Sequence, residues 1–433
     1  MINLILWFPI HPVQVIHKQR RGLLAGPQRG IVLAACCLAV FWPGAFIFGL
    51  PGVLSQHWQL AFGVGKAAVG QSIFLILAGA GTFMYAVGRW QAAIGPPRVA
   101  AVGALMCGGS AIFLGHVSSI SGVYGWAFLV GAASAFLYIP ALTVVQAWYP
   151  QSRGLASGLV NMSFGLSAAI MSPVFTQLLM RLGYAFLALI CGLLALIIGL
   201  LVCRFVRFPA HLAIPDIESA NEAIAQPPSL ELSQSLRTRA FWLLWLTYAA
   251  AGAAGVAMLT LSTAFGLSKG LPIQTAVLIL TAFNLTNGSG RLISGFLSDI
   301  VGRNTTMALS FLAAGTAELL LPLTNSLAIW LFLAAAIGFA FGSLFAVSGP
   351  LAVDCFGIQH FGAIFGLIFT AYAFVAGPVG PWLSGLLLDY TGGNFELVFG
   401  YLSLCYFAAA VLIWFVRPPG RRRNTQVRQE LFI

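Results

Sequence analysis

No aspartate or glutamate precedes Asp216, and the 433 residues hold only ten acidic side chains. Charged residues of both signs make up 7% of the chain, against about 25% in a soluble domain. So little charge cannot cover a water-facing surface, which excludes an ordinary soluble enzyme. The seven cysteines (Cys36, Cys37, Cys107, Cys191, Cys203, Cys355 and Cys405) contain no CxxC pair and mostly lie inside apolar runs. That excludes a disulfide framework or a thiolate metal site and leaves them as small packing residues. No nucleophile–base pair, histidine cluster or phosphate loop occurs, so no enzymatic activity, cofactor or metal is expected.

What is there is apolar. Hydrophobic residues make up 60%, with 48 Gly and 34 Phe, a composition suited to helices packed closely in lipid. At roughly 20 apolar residues per crossing, the chain has room for about twelve spans. The expected fold is therefore an all-α membrane protein of twelve transmembrane helices in two six-helix halves. Apolar runs fall at 30–54, 70–94, 99–117, 122–148, 154–180 and 184–206, then at 240–266, 272–297, 304–323, 326–352, 361–387 and 396–416. The organisation reads as an N-terminal tail (1–29), a first half (30–206), a polar linker (207–238), a second half (239–416) and a basic tail (417–433). In the first tail the apolar Met1 to Ile10 comes before Lys18, Arg20 and Arg21. A secretory signal has the opposite order, so this segment reads as a loosely membrane-associated cytoplasmic tail.

The net charge of +11 is a topology label. With both ends inside, 17 of the 21 basic residues fall in inner segments and three (Lys66, Arg181 and Lys269) in outer ones. Basic loops resist translocation, so both termini are expected in the cytoplasm of a multi-pass cell (inner) membrane protein. Nucleic acid is not an expected partner; the lipid bilayer is, and a monomer is expected. The basic residue that belongs to neither side is Arg291.

The halves also repeat. Gly88-x6-Gly95 returns as Gly295-x6-Gly302, an offset of 207, and Arg153-Gly154-x3-Gly158 with Pro173 returns as Phe361-Gly362-x3-Gly366 with Pro381, an offset of 208. Two like halves joined by a polar linker are an architecture of transporters, whose substrate sits between the halves while they rock.

The run Gly295-Phe-Leu-Ser-Asp299-Ile-Val-Gly302-Arg303, between the second and third spans of its half, resembles the signature loop of the major facilitator superfamily. Asp299 and Arg303 there can lock neighbouring helices and release them as the halves move. The first-half copy has Ala92 where the family has Asp, so closure is expected to lean on the second half. Within the superfamily the chain is similar to the oxalate/formate antiporters and monocarboxylate transporters over nearly all of 30–416. Asn287-x3-Arg291, Tyr138-Ile-Pro140, Arg153-Gly154-Leu-Ala156-Ser-Gly158, Phe361-Gly362-x3-Gly366-x3-Thr370-Ala371-Tyr372 and Gly377-Pro378 carry that similarity.

Arg291 lies eight residues before Asp299 in the eighth span, about 12 Å inside the membrane at helical rise. A charge so deep is costly unless paired or wetted, and a guanidinium grips a carboxylate by two parallel hydrogen bonds. The resemblance gives this Arg the substrate carboxylate; the alternative is a structural Arg on helix-end carbonyls. Asn284, Asn287 and Arg291 share one helix face and form a polar stripe. The resemblance also marks departures. Animal monocarboxylate carriers have Asp at the place of Asn287 and a Lys in the first span; this chain has Asn and no such Lys, so that proton route is not expected. Tyr372 stands where the oxalate/formate antiporters have Lys. One Arg and no Lys suit one negative charge, with Tyr138 and Tyr372 as hydroxyl donors or as packing aromatics.

Glu318, deep in the ninth span, is either a coupling carboxylate or a snorkelling or hydrogen-bonded outer-leaflet acid, and His57 is a second coupling candidate. Asp354 and His360 flank an inner loop and Asp389 an outer one, as gate or solvent contacts. Gln71, Asn161, Phe46 and Phe345 are further cavity candidates. The expected function is secondary transport of small organic anions, foremost monocarboxylates such as lactate, pyruvate or formate, with a proton or counter-anion as a possible partner. The alternatives are a dicarboxylate antiporter, a carrier of an unrelated substrate such as nitrate or sugar, and a non-transporting membrane sensor.

Overall fold

The computed structural model describes residues 27–209 and 229–419. The tail up to residue 26, linker residues 210–228 and the tail from 420 on lie outside the described residues.

Among the described residues every regular element is helical. Helix α1 is Pro27–Phe48 continued by Leu50–Phe62; α2 is Lys66–Ile94, α3 Pro96–Leu114 and α4 Ile120–Trp148. The run Arg153–Cys203 is 51 residues long, too long for one crossing, and breaks at Gly183 (φ 81°) into α5 (153–182) and α6 (184–203). The second half has α7 Arg239–Ser268, α8 Ile273–Val301, α9 Arg303–Leu320 and α10 Leu327–Phe356. Helix α11 starts as Phe361–Ala371, passes through π-helical turns at Tyr372–Ala376 and Pro378–Trp382, and ends as Leu383–Thr391; α12 is Phe395–Trp414. Pro378 and Pro381 lack the N–H that an α-helical ladder needs there, which accounts for the looser turns. The result is twelve membrane helices in two six-helix halves.

Nine helical runs among the described residues, Arg153–Cys203 counted once, are long and apolar enough to cross a membrane. Helices α8 and α9 fall outside that set. They hold Asn284, Asn287, Arg291 and Asp299, and Arg303 and Glu318, respectively. Helices α4 and α10 are the most enclosed, buried continuously from Val130 to Gln146 and from Ala340 to Val353. A helix apolar all round belongs at the centre of a bundle.

The halves meet along two seams, α5 against α8 and α2 against α11. Gly154 packs on the carbonyl of Gly295, and Gly88 on the backbone of Gly362; a Cβ at either glycine would overlap the other helix. The loops after α2 and α8 turn through Gly95 (φ 86°) and Gly302 (φ 102°), conformations that a side chain disfavours. Among the described residues the inter-half glycine contacts run from this basic end to Gly81, beside Ala373, and Gly288, beside Leu166, and no farther. The halves are thus zipped at the end carrying the Gly95 and Gly302 loops.

Candidate binding site and gate between the halves

Arg291 lies on the α5–α8 seam. Helix α8 can place a cation there because Gly342 lets α10 approach its backbone and Gly165 leaves room for its head: a Cβ at 165 would stand 3.3 Å from Cζ. The side chain is 3% exposed. Nε and Nη2 each donate to Asn287 Oδ1 at 3.4 Å, and Nη1 donates to the Asn161 carbonyl at 3.2 Å. The guanidinium stacks 4.9 Å above the Phe345 ring. All three hydrogen bonds are to neutral oxygens, and among the described residues no carboxylate reaches it. A buried cation with only neutral partners is electrostatically suited to hold an anion.

The first half contributes Asn161 and Tyr138. Tyr138 donates to Asn161 Oδ1 at 2.7 Å, and Asn161 Nδ2 donates to the Ser157 carbonyl at 2.9 Å, so this network holds the carbonyl that receives Nη1. The Tyr372 ring stands edge-on to Phe345 at 5.1 Å and to Phe369 at 5.4 Å. Tyr248 bonds Ser348 at 2.7 Å and packs on Phe345 and Phe369. Aromatic rings from α4, α7, α10 and α11 therefore wall the cation, which strengthens its interaction with whatever binds it. Its repeat position in the first half is the buried Met84, so the charge is one-sided.

Asn287, Tyr138 and Tyr372 are thus gathered around Arg291. Asn284 is on the same face of α8, one turn outward and exposed. Phe345 and Asn161 join them. Phe46 does not: it packs with Trp42 and Phe175. Gln71 accepts from Tyr124 at 3.2 Å, away from the cation. Tyr248, Ser348, Phe341, Phe369 and Phe164 were not singled out from sequence. The aromatics among them are too numerous in type to stand out, and Ser348 is one apolar-run hydroxyl among many.

The charged contacts across the seam, the candidate gate, lie at the basic end. Asp299 reaches across the seam and takes the backbone N–H of Gly154 (3.0 Å) and Leu155 (2.8 Å), capping the start of α5. Arg303 binds Asp299 at 2.5 Å and Asp354 at 3.3 Å, and Arg153 of the first half binds the other oxygen of Asp354 at 3.2 Å. Gly295 and Gly154 make the approach possible, and Gly302 turns the chain so that Arg303 can reach both acids.

Glu318 is elsewhere. It lies on the face of α9 that carries Phe311 and Gly315 against Tyr406 and Phe407 of α12, is fully buried, and among the described residues neither carboxyl oxygen has a hydrogen-bond partner. It therefore neither snorkels nor bonds a neighbour. His57 stacks on Tyr184 at 4.7 Å, tying α1 to the start of α6.

A sequence model of the Major Facilitator Superfamily matches residues 35–281 and 273–431. Among curated proteins, the oxalate:formate antiporter of Oxalobacter formigenes is 27% identical over 321 residues, covering 72% of this chain and 75% of that one. The uncharacterized MFS-type transporter YhjX of Escherichia coli K12 is 24% identical with the same coverages. Among solved structures, that of the major facilitator transporter FucP in the outward conformation superposes with a TM-score of 0.70 at 16% identity, covering 90% of this chain and 99% of FucP.

Proposed function

The chain belongs to the major facilitator superfamily, and we propose that this multi-pass membrane transporter carries small organic anions, foremost monocarboxylates, by alternating access. The observation that carries the proposal is Arg291: a buried cation on the seam between the halves, held by neutral oxygens and faced by no acid. A carboxylate of the substrate supplies the missing charge. The aromatic walls suit a short organic acid, and among the described residues no second cation stands beside Arg291 for a second carboxylate. Tyr372, whose ring lines the same space, offers a hydroxyl to the carboxylate or to a 2-hydroxy or 2-oxo group. Asn287 holds the guanidinium and cannot titrate. Basic loops resist translocation, which supports a cytoplasmic location for the zipped end, with Asp299, Arg303 and Arg153, in a cell (inner) membrane.

A second reading is exchange of a dicarboxylate for a monocarboxylate. It is favoured by the likeness to the Oxalobacter antiporter, which covers 72% of the chain. One experiment separates the two. Purified protein in liposomes is assayed for uptake of labelled lactate, pyruvate, formate and oxalate, with and without a pH gradient and with each acid preloaded inside. Saturable monocarboxylate uptake supports the first reading. Uptake confined to dicarboxylates refutes the argument from a single charge.

A further inference from the structure

The start of α7 carries a basic and aromatic surface that the transport proposal does not use. A helical turn, Leu232–Ser235, leads into α7 through Leu236, Arg237 and Thr238. Side-chain hydrogen bonds fix this corner. Thr238 Oγ1 donates to the Ser235 carbonyl at 2.7 Å and accepts from the Phe241 N–H at 3.3 Å, and Trp242 Nε1 donates to the Leu236 carbonyl at 2.9 Å. Just before the corner, the Leu230 N–H donates to the Phe356 carbonyl at 2.9 Å. Phe356 follows Asp354 by two residues, so the corner sits at the basic end.

Arg237, Thr238, Arg239, Trp242, Leu243 and Leu246 line a groove of about 260 Å³ there. One part of it is charged. Arg237 and Arg239 are exposed, and among the described residues neither forms an ion pair or lies over an aromatic ring. Other arginines at the same end engage the chain itself: Arg204 lies 4.7 Å over the Phe205 ring, and Arg98 reaches the Ile94 carbonyl at 3.5 Å. The nearest acid along the sequence, Glu231, caps the turn Leu232–Ser235 and is not in the groove wall. The other part is apolar. Arg239, Trp242, Leu243 and Leu246 are spaced i, i+3, i+4, i+7 and share one face of α7, about 10 Å long. Trp242 is 49% and Leu246 43% exposed on that face. The Trp242 ring is held edge-on to Phe241 at 5.3 Å and to Trp245 at 6.1 Å, so it forms a fixed wall.

We propose that this groove binds one anionic phospholipid of the leaflet at the basic end. The two guanidinium groups hold its phosphate, and an acyl chain lies along Trp242, Leu243 and Leu246. Charge beside an apolar face, at the level where Trp rings mark the membrane boundary, calls for a ligand with an anionic head and a hydrocarbon tail. A zwitterionic lipid brings its own cation next to the phosphate, which the arginine pair repels, so the site selects a net negative head. Behind Trp242, Trp245 Nε1 donates to Thr370 of α11 at 3.3 Å, so the lipid bears on the packed pair α7–α11 and steadies it.

The test uses the full-length protein, purified free of lipid in detergent. Native mass spectrometry and the unfolding midpoint follow added phosphatidylglycerol, phosphatidylcholine and inorganic phosphate. The proteins are wild type, Arg237→Gln/Arg239→Gln, Trp242→Ala and, as a control for charge at the same end, Arg98→Gln/Arg204→Gln. The expected result is saturable binding of phosphatidylglycerol to wild type with a rise of a few degrees in the midpoint. Binding should weaken about 10- to 30-fold in Arg237→Gln/Arg239→Gln, weaken in Trp242→Ala and hold in the control pair. The proposal is overturned by equal affinity in Arg237→Gln/Arg239→Gln or in Trp242→Ala. An equal fall in the control pair also overturns it, because the effect would be one of overall charge. So does equal binding of phosphatidylcholine, or displacement of the lipid by inorganic phosphate, which would make this a site for free anions. Should the variants fail to fold, wild type in liposomes decides. Phosphatidylglycerol with a photoreactive acyl chain should label Trp242 to Leu246 in preference to phosphatidylcholine with the same chain, and labelling without that preference refutes the site. None of these readouts is transport, so failure here is distinct from failure of the transport proposal.

Discussion

Replacing Arg291 by lysine and by glutamine separates its charge from its geometry. A guanidinium carries N–H groups on all three nitrogens. Here Nε and one N–H of Nη2 go to Asn287, and one N–H of Nη1 goes to Asn161. One N–H is left on each terminal nitrogen, the pair that a carboxylate bridges end-on. Lysine keeps the charge, loses this fork and loses the flat stack on Phe345. The loss of one charge-assisted bond, about 1.5–3 kcal/mol, lowers kcat/KM by about 10- to 150-fold. Glutamine removes the charge as well; about 2–5 kcal/mol corresponds to about 30- to 5,000-fold. The assay is initial uptake into liposomes at matched reconstitution, together with the unfolding midpoint without substrate. Removing a desolvated cation that has no acid partner among the described residues costs the protein little in the absence of substrate, so the midpoint of Arg291→Gln should equal or exceed that of wild type. Undiminished uptake by Arg291→Gln refutes the binding role. A large fall in midpoint together with lost uptake refutes the reasoning too, because it makes Arg291 a strut of the α5–α8 seam.

Two further outcomes follow from the other buried charges. Asp299→Asn removes the charged cap from α5 and weakens the pair with Arg303; a cap is worth about 0.5–2 kcal/mol, so the population open at the basic end should rise about 2- to 30-fold. Spin-label distances between the basic ends of α5 and α8 measure it, and an unchanged distribution sinks the gate assignment. Glu318→Gln replaces a fully buried acid that has no partner, so uptake should be retained and the unfolding midpoint should hold or rise. If the variant instead loses its response to a pH gradient, Glu318 belongs to the coupling path.

The parts legible in the sequence are those where charge is scarce. Arg291 stood out because every other basic residue marked a side of the membrane, and Asp299 and Arg303 because a glycine spacing framed them. Asp354 reads from sequence as a gate or solvent contact; its place between Arg153 and Arg303 is not legible there, since two arginines 150 positions apart have no shared pattern along the chain. The aromatic wall was illegible for a plainer reason. Among 34 phenylalanines, most of which pack or face lipid, nothing in helical spacing distinguishes Phe345 or Phe369 from the rest. The π-helical turns of α11 were signalled by Gly377-Pro378 and Pro381, yet proline in a membrane helix equally produces a simple kink, as at Pro140 and Pro173.

The absence of acids before Asp216 has a mechanical consequence. A repeat protein with identical halves would carry the same lock on both seams and would close both with equal strength. Here the acids Asp299 and Asp354 and the cation Arg291 all come from the second half, while the first half offers backbone N–H groups, Arg153 and neutral amides. The α5–α8 seam therefore carries both the proposed binding cation and the charged cap of α5 on one helix, α8, with Arg291 and Asp299 about 12 Å apart along it. On the proposed function, an anion that binds Arg291 acts on the same helix whose end Asp299 fastens to α5. On that proposal binding and gate opening are coupled through one helix, whereas among the described residues no ion pair joins α2 to α11. Substrate should consequently perturb distances across α5–α8 before those across α2–α11.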